Sequence, residues 1–498
     1  MEELAYNLLN LPGLRKLRNL PMKIVDSCWI NGQEVKPNAD LVIEDPAERT
    51  SIAAVPLAGK EYVWLAVEAA KRAFTVWKNM SVEKRSEALY RLAGAIKDNR
   101  DELALILSRE VGKPLKAAQS EVENSADFLL YCSKEIKRLR GVVGDKFFII
   151  REPIGVCAII TPFNYPLSTL VTKIGPALAT GCTVVIKPDE HTPLSTLFVA
   201  KLSHEAGFPP GVVNVITGPG IPTGEALTDH PEVRAISFTG STETGKLIYA
   251  KSAPFVRRLV LELGGNCPAL IALDAKWKKN LRAMVQQAFK NSGQYCYRIT
   301  RFIVHESIYE EFAESFVIAT KELKVGHPRH PKTDLGPLNN RRVYERFCHQ
   351  VEHIFSEGAR LLCGHIPRIE EASRSYYCSP IVFSDIPEHI TTVSQEEFFG
   401  PVAFLFRYRD DEEALKIAND SRFGLAAYIF TEDPKRISLW MKNIEAGSVW
   451  VNTIHQARFE APFGGYKESG LGREKSAAGF EAFTELKTVY WHVFGPRE

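Results

Sequence analysis

The 498-residue sequence contains no Cys-x-x-Cys pair. Its nine cysteines stand scattered at positions 28, 132, 157, 182, 267, 296, 348, 363 and 378. An odd, unpatterned set fits reduced thiols in a cytoplasmic setting and argues against a structural zinc site, so no metal is expected. Charge of one sign is missing too: 62 Lys and Arg face 60 Asp and Glu, a formal net charge of +2. Nucleic-acid binding, which needs a concentrated basic face, is therefore not expected as the main role. The densest basic stretch, Lys134 to Arg140, reads as a solvated helix end. No uninterrupted apolar run approaches the length of a membrane span. The start, Met1-Glu2-Glu3, reaches Leu8, Leu9 and Leu11 before the basic run Arg15 to Arg18, the reverse of a secretory signal, so a cytoplasmic protein is expected. Internal repeats and low-complexity tracts are absent as well.

What is present is a hydrophobic share of 45% and a charged share of 24%, the balance of a soluble globular protein. The length calls for two large domains and smaller pieces. Residues 1 to about 24 read as an amphipathic extension, and Trp29 to Gln33 as the strand and turn on which the fold begins. Helical spacing runs through Tyr62 to Arg100, Asp101 to Arg109 and Glu121 to Leu139. After Arg151-Glu152-Pro153, short apolar runs alternate with helical stretches: Val156 to Ile160, Thr183 to Ile186, Val213 to Ile216 and Ala235 to Phe238. That alternation predicts an α/β fold with a doubly wound parallel sheet. A second series after Cys296 predicts a second α/β domain, with strands at Phe302 to Val304, Ile381 to Phe383, Val402 to Leu405 and Val449 to Val451.

The chemistry concentrates where Leu261-Glu262-Leu263-Gly264-Gly265 and Gly293-Gln294-Tyr295-Cys296 bring a carboxylate and a thiol from two glycine-marked turns. A lone cysteine is ordinarily a small buried apolar residue and a lone glutamate a solvated charge. Together they suggest a covalent thiol mechanism in which the carboxylate activates the thiol, or the water that later attacks an acyl thioester. Phe238-Thr239-Gly240-Ser241 leads into Thr242-Glu243-Thr244-Gly245-Lys246 as strand end, turn and helix start. Its free N–H groups suit a pyrophosphate, although a plain helix cap explains it equally and the spacing is not Gly-x-Gly-x-x-Gly. Lys187 and Glu190, at the end of a strand, are candidates for ribose hydroxyls or for a surface ion pair. The Asn164 amide, in Thr161-Pro162-Phe163-Asn164, is a candidate oxyanion donor or a turn former.

These motifs resemble the NAD(P)-dependent aldehyde dehydrogenase superfamily, in its non-acylating, lactaldehyde- or glyceraldehyde-type branch. The resemblance runs from Ile30 to about Tyr490 and includes Gly112-Lys113-Pro114, Asp334-Leu335-Gly336-Pro337, Glu396-Glu397-x-Phe399-Gly400-Pro401 and Pro462-Phe463-Gly464-Gly465. It implies an N-terminal extension (1–24), a cofactor domain (25–134 and 152–261), a catalytic domain (262–465) and an oligomerisation flap (135–151 and 483–493), giving a homodimer or homotetramer. It also implies that Cys296 is the nucleophile, Asn164 and the Cys296 N–H the oxyanion donors, and Lys173 an active-site lysine. Glu262 then activates the hydrolytic water; relatives that pass the acyl group to coenzyme A lack this glutamate, so a free acid is expected. Cofactor contacts are implied for Thr161, Pro162, Phe163, Lys187, Glu190, Gly220, Gly240, Ser241, Gly264, Glu397 and Phe399. Glu190 should repel a 2′-phosphate, which favours NAD over NADP, while Lys187 softens that preference. Phe163, Tyr295, Tyr297, Arg298, Arg458 and Phe463, with Phe459, are expected around the substrate tunnel. Succinate-semialdehyde dehydrogenases carry an arginine where this chain has Thr172, which lowers that reading, and the loop Asn452 to Pro462, with Arg458-Phe459-Glu460, resembles lactaldehyde- and glyceraldehyde-type members, so a small 2-hydroxy aldehyde is the expected substrate. The alternatives are a semialdehyde, an aromatic aldehyde, non-phosphorylating oxidation of glyceraldehyde 3-phosphate, a coenzyme A-acylating enzyme, and a catalytically silent homologue.

Overall fold

A computed structural model describes residues 22–139, 141–144, 146–456 and 458–491. Most of the expected extension lies outside these residues. The first sheet contains β1 (Cys28–Ile30), β2 (Val156–Ile160), β3 (Thr183–Lys187), β4 (Val213–Val215), β5 (Val233–Thr239) and β6 (Arg258–Glu262). Their spatial order is β1-β4-β3-β2-β5-β6, with Gln33–Val35 and Gly470–Leu471 at the two edges. β2 to β6 run parallel, whereas β1 pairs antiparallel with β4. β2 and β3 are buried at every position, which is why they read as continuous apolar runs rather than alternating ones. The chain winds outward from β2 through β3 to β4 and then returns to β5 on the other side of β2. That reversal opens a crevice beyond the carboxyl ends of β2 and β5, the usual ligand site of such sheets.

The second sheet holds β7 (Cys267–Ile271), β8 (Ile299–His305), β9 (Ile381–Ser384), β10 (Val402–Tyr408), β11 (Ala426–Phe430) and β12 (Ser448–Val451). They lie in the order β9-β10-β8-β7-β11-β12, all parallel, with Arg360–Cys363 antiparallel at the outer edge of β9. The expected α/β organisation with two parallel sheets is therefore present. A third, three-stranded sheet joins Phe147–Pro153 to Thr484–Tyr490 and to Val142–Val143.

Three helices matter to the site: α1 (Leu115–Glu135), α2 (Pro166–Thr180) and α3 (Thr242–Ser252). Pro166 opens α2 at a position where its missing N–H costs nothing, and Gly181 ends it with φ 102°, a left-handed cap that glycine adopts freely. The first-turn N–H groups of Leu167 and Ser168 donate to Glu121 Oε1 of α1 at 3.2 and 3.0 Å. This buried carboxylate satisfies two of the orphan donors of α2 and favours its positive end. No described helix is long and apolar enough to cross a membrane.

Candidate active site

The predicted cofactor residues follow the carboxyl ends of first-sheet strands. Thr161, Pro162 and Phe163 follow β2, Lys187 and Glu190 close β3, Gly240 and Ser241 follow β5, and Gly264 follows β6. Gly220 opens the short turn Gly220–Gly224 after β4. Lys187 Nζ donates to the Pro188 carbonyl at 2.7 Å and lies 3.6 Å from Glu190 Oε2. Ser241 caps α3, its Oγ accepting from Thr244 N at 3.3 Å, so the helix-cap reading of that residue is realised. The hydroxyls of Thr161 and Thr239, at the ends of β2 and β5, are buried and have no partner among the described residues. Unmet polar groups on both sides of the crevice suit the polar backbone of a dinucleotide.

The thiol arrives from the second sheet. Asn291, Ser292 and Gly293 take φ values of 51°, 56° and 74°, a left-handed run that turns the chain sharply ahead of β8. A Cβ on Gly293 would run into the Gly400 carbonyl, and one on Gly265 into the Cys296 carbonyl. Only glycine lets these three turns close on one another. The motifs around them interlock. Ser292 Oγ donates to the Gly336 carbonyl at 2.7 Å, Asn339 N to Gln294 Oε1 at 2.9 Å, and Asn164 Nδ2 to the Gln294 carbonyl at 2.8 Å. Lys113 Nζ holds the Asn164 carbonyl at 2.8 Å and pairs with Glu121 in the interior. The oxyanion candidate and the thiol turn thus form one braced unit.

Cys296 is the only one of the nine cysteines that is not buried. Its enclosed surroundings push the thiol well above its ordinary range, and the nearby Glu397 and Glu262 carboxylates push in the same direction. The resting group is therefore a thiol, and its attack must be coupled to loss of the proton. Glu262 is 3% exposed, and neither of its oxygens has a partner among the described residues. Burial, with Glu474 as a second cause, raises its carboxyl well above the usual range. Glu474 in turn pairs with Lys173 Nζ, which also reaches Ser237 Oγ at 3.2 Å. Glu397 Oε1 accepts from Gly265 N at 3.0 Å, and the Phe399 ring meets Phe163 edge-on at 5.7 Å. Cys296, Glu262, Asn164, Glu397, Phe163 and Phe399 thus come together where the carboxyl ends of the first sheet face the amino ends of the second.

Around the expected tunnel the outcome is mixed. Tyr297 stands 5.7 Å from Phe463 and 5.1 Å from Tyr295 in edge-on contacts, and 4.4 Å from His455. Tyr295 itself is buried, its hydroxyl donating to the Gln287 carbonyl, so it backs Tyr297 rather than presenting a polar tip. Arg458 is exposed, and Phe459 packs on Phe128 at 5.4 Å. The expectation for Arg298 is overturned. It is 2% exposed, and its guanidinium donates to the carbonyls of Phe398, Val402 and Ala288 at 2.9, 2.7 and 3.2 Å. Three internal acceptors consume its donors, so it pins the segment before β10 to that before β8. Arg298→Leu is expected to lower stability by about 3–5 kcal/mol in urea unfolding, because it leaves buried carbonyls unpaired. Discrimination between neutral and anionic aldehydes should not change.

Sequence reading had not singled out Lys113, Glu121, Gln294 or Glu474. Lys113 and Gln294 sit inside motifs that carry the resemblance, which was a usable signal. Glu474 lies 301 residues from its partner Lys173 and carries no local mark.

The Aldehyde dehydrogenase family matches residues 29–489. Succinate-semialdehyde dehydrogenase of Arabidopsis thaliana, a mitochondrial protein, is 38% identical over 472 residues, covering 94% of this chain and 88% of that protein. The 3-sulfolactaldehyde dehydrogenase of Pseudomonas putida is 36% identical, covering 93% and 96%. Betaine aldehyde dehydrogenase of Staphylococcus aureus, solved in complex with NAD+, superposes with a TM-score of 0.90 at 32% identity, covering 94% of each chain. The chain belongs to the aldehyde dehydrogenase family. It is an oxidoreductase that acts on aldehydes.

Proposed function

We propose that the chain oxidises an acid-bearing aldehyde to the free dicarboxylic or sulfonated acid, with Cys296 as nucleophile. The observation that carries this reading is the single accessible cysteine, set beside a buried glutamate with no hydrogen-bond partner among the described residues. Cys296 Sγ adds to the aldehyde carbon, and the Asn164 amide and the Cys296 N–H take up the developing negative charge on oxygen. A bound nicotinamide dinucleotide supplies the hydride acceptor. Glu397 and Phe399 would hold its nicotinamide end, and Thr161 with Gly240 would border the pyrophosphate. Glu262 takes a proton from the water that cleaves the thioester, which returns Cys296 to its resting form and releases the acid. Glu474, Lys173, Arg473 and Lys475 are the charged groups that act on Glu262. Domain roles follow the same division, with 25–134 and 152–261 for the cofactor and 262–465 for the chemistry.

The acid-bearing tail is supported by the relatives, which are named for succinate semialdehyde and 3-sulfolactaldehyde. Only the second of these is also a 2-hydroxy aldehyde, so the acid and not the hydroxyl is the shared feature. NAD is the proposed cofactor, since the Glu190 carboxylate would face a 2′-phosphate, with Lys187 already engaged by Pro188. Absorbance assays of carboxylated and neutral aldehydes with each cofactor test both points. We expect reduced cofactor and free acid in equal amounts without coenzyme A, and a kcat/KM at least tenfold higher with NAD. A clear NADP preference would remove the cofactor assignment.

The three-stranded arm leaves Val142, Val143, Leu486 and Tyr490 exposed, which supports assembly through this sheet. Light scattering is expected to give a multiple of the monomer mass, and a Val143→Asp, Leu486→Asp variant a smaller species. A wild-type monomer would refute the assignment.

A further inference from the structure

The residues assigned to the two ends of the cofactor's nicotinamide half come from different sheets. Ser241, which caps α3, follows a strand of the first sheet, and Glu397 stands in the segment that leads into β10 of the second. A strip of chain, 466–471, is stitched to both sides. Tyr466 and Lys467 pair antiparallel with Gly424 and Phe423, while Gly470 and Leu471 pair with Glu262 and Leu261 of β6. Glu468 sits between these pairings and meets cations from each side. Its Oε2 lies 3.0 Å from Lys246 Nζ of α3 and 3.2 Å from Arg422 Nη1.

Arg422 is the centre of this network. Its Nη1 also reaches Glu243 Oε1, in the first turn of α3, at 3.3 Å. Its Nε donates to the Gln395 carbonyl at 2.8 Å, and its backbone N–H to Gln395 Oε1 at 3.0 Å. Gln395 stands two residues before Glu397. One planar guanidinium thus holds the Glu397 segment through Nε and two carboxylates through Nη1, a geometry that a single ammonium cannot reproduce. Gln350 secures the next two residues, donating to Glu396 Oε2 at 2.8 Å and to the Glu397 carbonyl at 3.1 Å. Phe423, next to Arg422 in the chain, closes on the same carboxylate. A Cβ on Gly264 would meet Glu397 Oε2 at 2.9 Å and the Phe423 ring at 3.1 Å, so the three groups are in contact around that glycine. Burial raises the Glu397 carboxyl, and the charge of Arg422 is among those that oppose the rise. A shift of Arg422 therefore reaches Glu397 through the backbone, through packing and through its charge.

We infer that Arg422, anchored by Glu468, is a positioning residue for the nicotinamide half of the cofactor. It fixes the Glu397 segment against α3, whose start borders the pyrophosphate, and so sets the span between the two holds. This rests on the cofactor residues proposed above but names the group that keeps them in register.

The test uses calorimetry on the full chain with NAD and with ADP, which has the adenosine and the pyrophosphate but no nicotinamide riboside. In Arg422→Met the affinity for NAD should fall by about three- to thirtyfold, the range for residues that couple two sites, while that for ADP stays within about twofold. In turnover the KM for NAD should rise in step and the KM for the aldehyde should not. Glu468→Gln should act in the same direction, and the double variant should lose no more NAD affinity than the worse single one, because the two groups act as a unit. Arg422 and Glu468 are 34% and 36% exposed, so added salt should erode the NAD-to-ADP affinity ratio of wild type and leave that of Arg422→Met unchanged. Both variants should melt close to wild type, since partly exposed ion pairs add little to stability. Wild type that binds neither NAD nor ADP would remove the cofactor assignment and this inference with it. NAD affinity unchanged in both variants, or ADP weakened as much as NAD, would overturn the inference alone.

Discussion

Cys296→Ala is expected to lower kcat by about ten-thousandfold or more, because it removes the proposed nucleophile of the covalent intermediate. Among nine cysteines, it alone is reachable from outside the fold. The other eight are buried, and none lies where Gly265 and Gly293 close the turns of the site, except that Cys267 begins β7 behind it. Alanine keeps the backbone N–H at this position and fits the space of the thiol, so the fold and dinucleotide binding should persist. Cofactor binding measured by fluorescence, together with the loss of aldehyde oxidation, separates a missing nucleophile from a collapsed site. Activity within tenfold of wild type would exclude Cys296 as the nucleophile.

The second large effect belongs to Glu262→Gln. The reaction should proceed as far as the thioester and then stop. One equivalent of reduced cofactor per active site should appear rapidly, followed by turnover slowed by about a hundredfold to ten-thousandfold, the contribution of a positioned general base. Intact mass measurement of the stalled protein should show one acyl group, absent when Cys296 is also replaced. Added hydroxylamine should release it as a hydroxamate. The pH dependence follows from the raised carboxyl of Glu262. Burial keeps the group protonated past the pH at which a free glutamate would ionise, and only the ionised form accepts a proton. Wild-type hydrolysis should therefore climb as pH rises through that elevated value, and the slope should vanish in the glutamine variant. A variant with no burst, or with an unaltered pH slope, would place the base elsewhere.

Much of the fold was legible in the sequence because parallel strands buried on both faces leave unmistakable apolar runs. Val156 to Ile160 and Thr183 to Ile186 were read at nearly their observed limits, since Thr-Pro and Lys-Pro dipeptides bound them. The thiol, the glutamate and the asparagine were legible for a different reason. Each sits in a glycine- or proline-marked turn whose local chemistry is visible in a few residues. Arg298 shows where that kind of reading fails. An arginine two residues after the nucleophile looks available to a substrate, yet β8 begins at Ile299 and turns its side chain inward onto three carbonyls. Which face a residue takes at a strand entrance depends on the packing of distant segments, here Phe398 to Val402.

The sequence by itself determined the two parallel sheets and marked with glycine the places where the turns meet. These follow from backbone geometry and burial, which act over a few neighbouring residues. Only the tertiary structure decided which charges share an enclosure. Lys173 with Glu474, 301 residues apart, and Glu121 with the first turn of α2, 46 and 47 residues on, are brought together by chain crossings. Electrostatic interaction depends on distance and local dielectric, not on position along the chain, so the paired and unpaired charges of this site become visible only once the chain has folded.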